Sequence, residues 1–176
     1  GYYRRSESGV DDEADMTRVV AYLGYKFNDW IVFNTEIEFE HGSTSENGSV
    51  SVEFATLDFL LMPELNIRAG EVLIPMGFVN EFHEPPFYYS TFRPTAERVI
   101  IPSTWRENGL GIFGNLGERL SYRLYAVNGM VASDFRSSGL RSGRQNGSEA
   151  IANDLALVGR LDLDVPSPPR YVQAVW

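Results

Sequence analysis

The sequence has no cysteine, no long apolar run and fewer basic than acidic residues, 15 against 24. The lack of cysteine excludes disulfides, thiolate metal ligands and thiol nucleophiles, and it suits export through an oxidising compartment. No apolar stretch approaches the roughly 20 residues of a membrane-spanning helix, so the sequence does not predict insertion by helices. Dispersed Lys and Arg residues and a net charge of −9 disfavour phosphate neutralisation, and we predict no nucleic-acid partner.

The 176 residues are enough for one domain, and we expect residues 1–176 to form a single unit. Hydrophobic residues make up 43% of the chain and aromatic residues 13%. The opening stretch, Gly1-Tyr-Tyr-Arg-Arg5, has neither an initiating Met nor the apolar segment of a signal peptide. We therefore expect a processed chain or a fragment.

A period of two dominates the sequence, and this period predicts β-strands, with few helices. Residues 17–27 and 30–40 both alternate in this way. In the second segment one face carries apolar side chains and the other carries polar ones; the apolar residues are Ile31, Phe33, Ile37 and Phe39, and the polar ones are Asn34, Glu36, Glu38 and Glu40. The two segments are predicted to be antiparallel neighbours with one apolar face.

Further strands are predicted at residues 49–62, 65–74, 109–116, 119–128, 154–164 and 171–176, which makes about eight in all. Most approach the roughly ten residues of a barrel strand. The strand at 49–62 breaks the pattern, because Phe59 and Leu61 are out of phase with Val50 and Val52. A β-bulge at residues 55–57 would restore the register.

The connections differ in length. Asn28-Asp29 and Pro63-Glu64 predict short turns, whereas residues 41–48 and 132–149 are long, polar and rich in Gly and Ser. Short turns at one end and long loops at the other are typical of outer-membrane barrels. Three aromatic residues flank the first turn, as an interfacial girdle would require; they are Tyr25, Phe27 and Trp30.

The fold that these features favour is all-β, an antiparallel transmembrane β-barrel. Its polar face carries charged side chains that water must reach, and a wide lumen would supply that water; they include Glu36, Glu38, Arg68, Arg123, Arg160 and Asp162. The alternative is a soluble or surface-bound β-sandwich that binds a ligand and exposes the same charges on its outside.

Residues 75–105 interrupt the alternation with five prolines and are too long for an ordinary turn. In a barrel such a segment can fold into the lumen and narrow it. The candidate constriction residues are therefore Glu81, His83, Glu84, Arg93, Glu97, Arg98 and Arg106.

Other chemistry has weaker support. The Glu81-Phe82-His83-Glu84 run has ligands that suit zinc, but we favour hydrogen bonds by which His83 and its neighbours hold the inserted segment to the barrel wall, and we predict no metal and no cofactor. A sequence without cysteine, without a Gly-x-Ser-x-Gly elbow and with His41 and His83 as its only histidines predicts no enzyme. The arginine-rich residues 136–144 could meet lipopolysaccharide or steer ions at the mouth, or form a mobile basic loop.

Several sequence motifs resemble those of a known family. They are Gly24-Tyr-Lys-Phe-Asn-Asp-Trp30, Arg68-Ala-Gly70, Pro75-Met-Gly77, Asn80-Glu-Phe-His-Glu-Pro-Pro86 and Ile101-Pro-Ser-Thr-Trp-Arg-Glu-Asn-Gly109. In this order and spacing they resemble the bacterial porins related to the phosphate-selective porins O and P.

The resemblance implies a homotrimeric channel in the bacterial outer membrane, with about sixteen strands per barrel and with lipid and lipopolysaccharide as partners. This chain then corresponds to the N-terminal portion, and its polar residues 1–16 are expected to form an extracellular loop. The family also implies phosphate uptake through a ladder of basic residues. Because Arg68, Arg123 and Arg160 are countered by Glu36, Glu38 and Glu53, we expect passive diffusion of small polar or ionic solutes in general.

Overall fold

The computed structural model describes residues 2–4, 12–45, 47–84, 87 and 93–165, and its main element is one large antiparallel β-sheet. The all-β prediction is confirmed. The strands are β1 (Tyr2–Arg4), β2 (Glu13–Asp15), β3 (Arg18–Lys26), β4 (Ile31–Glu40), β5 (Ser49–Met62), β6 (Leu65–Leu73), β7 (Arg106–Leu116), β8 (Leu120–Asn128) and β9 (Leu155–Leu163). The strand predicted at 171–176 lies outside the described residues.

Strands β3 to β9 follow one another in chain order across the sheet, and each pairs antiparallel with the next. Their bounds lie within three residues of the seven strands that the alternation predicts. Strands β1 and β2 form a separate two-stranded sheet, with Tyr2 opposite Asp15. The segment 1–16, expected to be an extracellular loop, therefore contains a short two-stranded sheet among its described residues.

Among the described residues, helical structure is confined to short turns. The described part of the chain contains a π-helical turn at Ala96–Ile100 and 3-10 turns at Ala132–Asp134 and Arg141–Gly143. None of the helices in this part is long and apolar enough to span a membrane.

The connections of the large sheet alternate between short and long. Residues 27–30, 63–64 and 117–119 form short turns at one end, and residues 41–48, 74–105 and 129–154 form long connections at the other. In the first turn, Asn28 Oδ1 accepts hydrogen bonds from the backbone N–H groups of Trp30 (2.9 Å) and Ile31 (2.8 Å). The side chain of Asn28 thus supplies the turn geometry that its sequence position predicts.

Strand β5 contains the expected bulge, but at Glu53. Glu36 is opposite Phe54 and the next residue, Ile37, is opposite Val52, which leaves Glu53 as the extra residue. The prediction of residues 55–57 is therefore two residues off. As predicted, the bulge brings the apolar residues on both sides of it onto one face.

One face of the sheet is apolar and exposed. Residues directly opposite one another across strands share a face, and the apolar rows run across the sheet in this way. One row comprises Tyr25, Phe33, Leu57, Ala69, Leu110, Ala126 and Leu157. On β9 the exposed fraction is 67% for Leu155, 80% for Leu157, 72% for Leu161 and 66% for Leu163.

The opposite face is polar and largely covered. Its rows include Asp58, Arg68 and Tyr125 in one register and Asn66, Arg123 and Arg160 in another. The buried hydrophobic cluster also lies at this face, beneath the connection between β6 and β7; its members are Val72, Ile74, Tyr125, Val127 and Val158. The sheet therefore buries its charged side and exposes its apolar side.

Strands β3 and β9 are the edges of the large sheet. Within the described ranges, β3 pairs only with β4 and β9 pairs only with β8. The sheet is therefore open, with seven strands and two unpaired edges.

Candidate functional site

The connection between β6 and β7, which contains the predicted inserted segment 75–105, lies against the polar face of the sheet. Asn80 holds its two ends together, because its Nδ2 donates to the carbonyl oxygens of Ile74 (2.7 Å) and Trp105 (2.8 Å). Its Oδ1 accepts from the backbone N–H of Trp105 at 2.6 Å. Asn80 is fully buried, so a polar clamp with no contact to solvent fixes the segment where it leaves and rejoins the sheet.

Glu81 extends from this segment toward the sheet and meets two arginines. Its carboxylate lies 3.2 Å from Arg123 Nε and 3.6 Å from Arg160 Nη1. Asp162 contacts the same arginines, at 2.8 Å from Arg123 and 2.7 Å from Arg160. Arg160 also donates to the carbonyl oxygen of Gly77 at 2.7 Å. Burial raises the pKa of the Glu81 carboxyl, and the charge of Arg123 opposes that rise.

Arg68 is also paired. Its guanidinium makes a bidentate contact with Asp58, with Nε at 2.7 Å and Nη2 at 2.8 Å from the two carboxylate oxygens. The same group lies 4.9 Å from the ring centre of Phe113. Bidentate pairing fixes the orientation of an arginine and neutralises its charge, so Arg68 is not a free anion-binding group.

His83 lies in a cluster of carboxylates. Its Nε2 is 3.4 Å from Glu36 on β4, 3.5 Å from Glu84 and 3.9 Å from Glu53 at the bulge of β5. Its Nδ1 lies 3.1 Å from the carbonyl oxygen of Asn80. His83 is 2% exposed and Glu36 is 1% exposed. Burial raises the pKa of the Glu84 carboxyl, and the neighbouring charge of Glu36 adds to the rise.

Two further arginines border this cluster. Arg106, the first residue of β7, lies 3.0 Å from carboxylate oxygens of both Glu53 and Glu71. Arg18 of β3 lies 2.9 Å from Glu38. Each arginine of the polar face described here therefore has a carboxylate partner.

Two of the predicted constriction residues, Arg93 and Glu97, hold the inserted segment itself, whereas a third is exposed. Arg93 donates to the carbonyl oxygen of His83 and to Thr104 Oγ1, both at 3.1 Å. Glu97 is buried and accepts from the backbone N–H groups of Phe78 and Val79. Arg98 lies on the exposed side of the π-helical turn.

The arginine-rich residues 136–144 are partly anchored. Arg141 and Arg144 donate to the carbonyl oxygens of Ser103 and Thr104, respectively, and Arg144 also donates to Pro102 at 3.0 Å. Burial and the charge of Arg141 lower the pKa of Arg144 to about 10. These two arginines therefore contact the inserted segment.

Sequence reasoning assigned no role to Asn80, Arg18 or Glu107. Glu107 is fully buried, and its Oε1 accepts from the backbone N–H of Gln145 at 2.9 Å. The sequence predicts this strand from residue 109, but it begins at residue 106. Extending the alternation back to residue 106 puts Glu107 on the same polar face as Gly109. For Asn80 the sequence contains no comparable signal, because its partners are backbone groups 6 and 25 residues away.

An open cavity of about 500 Å³ lies between the sheet and the inserted segment. Its lining residues include Tyr22, Asn34, Thr56, Arg68, Glu81 and Arg123. The sheet side of the cavity carries both polar and apolar residues, and its charged lining groups, Arg68, Glu81 and Arg123, are all in ion pairs. Over the whole polar face, carboxylates outnumber arginines. The arrangement can hold water and ions, and it offers no uncompensated row of arginines.

Comparison with known proteins gives a relative without an assigned role. An uncharacterized protein of Aquifex aeolicus (strain VF5) is 44% identical over 172 residues, which cover 94% of this chain and 39% of the relative. The chain thus spans about two fifths of the length of the protein it matches. No family model matches the sequence. No solved structure matches it.

Proposed function

We propose that this chain is part of a bacterial outer-membrane porin, a water-filled channel through which small polar or ionic solutes diffuse passively. The observation that carries the proposal is the placement of side chains on the sheet: the apolar face is exposed and the charged face is covered, the reverse of a water-soluble sheet. A barrel whose outside faces lipid and whose lumen holds water has this distribution.

The exposed leucines of β9 show how much free energy the apolar face would lose if it faced water. Fully burying one such side chain contributes about 1.5–3 kcal/mol, and because the four are 66–80% exposed, together they forgo on the order of 4–9 kcal/mol. Lipid acyl chains would recover this free energy. In a β-sandwich a second sheet would cover these residues, and the only other sheet in the described ranges is the short β1–β2 pair.

The unpaired edges of β3 and β9 indicate whether this sheet can form a closed barrel by itself. In a bilayer an open edge would leave backbone groups without hydrogen-bond partners, and such edges do not occur in the hydrocarbon region. We therefore infer that further strands complete a barrel of about sixteen strands, the number that the resemblance to the porins implies. The homotrimer and the contacts with lipid and lipopolysaccharide come from the same resemblance.

Solute preference follows from the polar face. Phosphate selectivity would require arginines that are free to bind the anion, whereas Arg68, Arg123 and Arg160 are occupied by Asp58, Glu81 and Asp162. General diffusion with no phosphate preference fits this pairing better. The excess of carboxylates in this part of the face favours cations.

Planar-bilayer recording of the complete protein tests the proposal. We expect stepwise single-channel currents at constant voltage and no block by millimolar phosphate. A protein that stays monomeric without detergent and gives no currents would instead support the soluble ligand-binding module.

A pair of matched variants tests the assignment of the polar face. Asp162→Asn removes a carboxylate that Arg123 and Arg160 share, so the reversal potential in a salt gradient should shift toward anions. Asp29→Asn makes the same change in the exposed short turn and should leave the reversal potential unchanged. Equal shifts for both variants would contradict the assignment.

A further inference from the structure

We propose that Glu36, His83 and Glu84 form a binding site for a divalent transition-metal ion, with zinc as the best chemical match. The proposal concerns how the inserted segment is held on the sheet, and it does not depend on the chain forming a pore. One ligand atom from each residue lies within 4.8 Å of the others, and Glu36 and His83 are buried.

The tautomer of His83 is the first argument. Nδ1 faces the carbonyl oxygen of Asn80, which can only accept, so Nδ1 must carry the proton. In the neutral ring Nε2 then presents a lone pair, and it faces the carboxylates of Glu36 and Glu84. A histidine that donates from one nitrogen to a backbone carbonyl and presents the other to acidic groups is typical of a metal ligand.

Unsatisfied polar atoms are the second argument. His83 Nε2, Glu36 Oε1 and Glu84 Oε1 are inaccessible to solvent, and no group among the described residues meets hydrogen-bond geometry with any of them. Leaving such atoms buried without partners costs about 1–3 kcal/mol each, more for charged groups. A cation between them would satisfy all three at once.

The distances are the third argument. Separations of 3.4 and 3.5 Å from Nε2 to the two carboxylate oxygens are long for hydrogen bonds. Tetrahedral zinc with ligand bonds of about 2.1 Å gives ligand-to-ligand separations of about 3.4 Å. The ligand oxygens of Glu36 and Glu84 lie within 4.8 Å of each other, and rotation of the two side chains would bring them to this separation. Glu53, at 3.9 Å from Nε2, is the candidate for the fourth position.

The ligands come from different parts of the fold. Glu36 belongs to β4, whereas His83 and Glu84 belong to the inserted segment. A bound ion would therefore tie the segment to β4, whereas the side chain of Asn80 joins the two ends of the segment, at Ile74 and Trp105. Its role in this position is structural, because it sets how far the segment reaches over the polar face.

Calorimetric titration of ZnCl2 into the detergent-folded, EDTA-treated complete protein tests the proposal. We expect one zinc ion per chain, and Co²⁺ in its place should give the intense visible absorption of a tetrahedral site. His83→Gln should weaken zinc binding by at least about 100-fold, since losing a ligand costs more than losing its outer-shell partner. His41→Gln is the matched control: it alters the exposed histidine that contacts Asp15, and it should bind zinc like the unmodified protein.

Glu84→Gln provides a second test if His83→Gln does not fold, and the same weakening is expected. The proposal is overturned if the protein binds no zinc below 1 mM, or if His83→Gln and Glu84→Gln bind it as tightly as His41→Gln. It is also overturned if ¹⁵N spectra of the metal-treated protein show His83 as an imidazolium ion paired with the glutamates.

Discussion

Replacing Leu157 with arginine separates a lipid-facing surface from one that faces water. Leu157 is 80% exposed and lies on the apolar face of β9, opposite Ala126. At the midplane of a bilayer, an arginine on the lipid face costs about 2–4 kcal/mol. On an aqueous surface, the same substitution changes the free energy of unfolding by no more than about 0.5 kcal/mol.

The assay is a denaturant titration of the complete protein folded into phosphatidylcholine vesicles. A cost of about 2–4 kcal/mol corresponds to a loss of roughly 30-fold to 700-fold in the folding equilibrium constant. Leu163→Arg is the matched control, because it makes the same change on the same face of β9 at the short-turn end. Near the interface the expected cost falls to about 0–1 kcal/mol.

The outcome that refutes this reasoning is a Leu157→Arg protein as stable as the unmodified one. Equal costs for the two variants would also count against it, since they would show no dependence on depth in the bilayer.

The remaining predictions concern the inserted segment and the sheet backbone. Asn80→Ala removes three hydrogen bonds at the base of the segment, so stability should fall by about 2–4 kcal/mol and single-channel currents should become noisier. Gly70→Ala should destabilise by about 1–3 kcal/mol more than Gly117→Ala, as measured by denaturant titration. Both glycines have a positive φ, but a Cβ at Gly70 would lie 2.1 Å from the carbonyl oxygen of Ala55, whereas one at Gly117 would have no neighbour within 4 Å.

Two results would contradict those expectations. A stable Asn80→Ala protein with unchanged currents would show that the clamp does not hold the segment. Equal losses for the two glycine variants would show that strain in the left-handed backbone outweighs the clash with Ala55.

The large sheet was predictable because its strands alternate strongly and end at recognisable turn residues. Strand β5 has the predicted bounds, because apolar and polar residues alternate along most of it and Pro63 follows its last residue. The position of its bulge was not predictable. Val50, Val52 and Phe54 continue the alternation through Glu53, so nothing in the local pattern marks Glu53 as the extra residue.

The candidate site was predictable in part. Alternation places Arg68, Arg123 and Arg160 on the polar face, and the register of the sheet agrees. Arg68 meets Asp58 directly opposite it on β5, but the contacts of Glu81 depend on the path of the inserted segment, because Glu81 is 42 and 79 residues from Arg123 and Arg160. Periodicity does not encode contacts over such distances.

The most direct test of the central claim is spin-label accessibility along β9 in vesicles. Because the 176 residues contain no cysteine, they add no background to single-cysteine labels placed in turn at residues 155–163. We expect collisions with oxygen to dominate at 155, 157, 161 and 163, and collisions with a water-soluble nickel complex to dominate at the charged positions 160 and 162. Labels at the leucine positions that neither probe can reach would show that this row packs in a dry interior, and the account would be wrong.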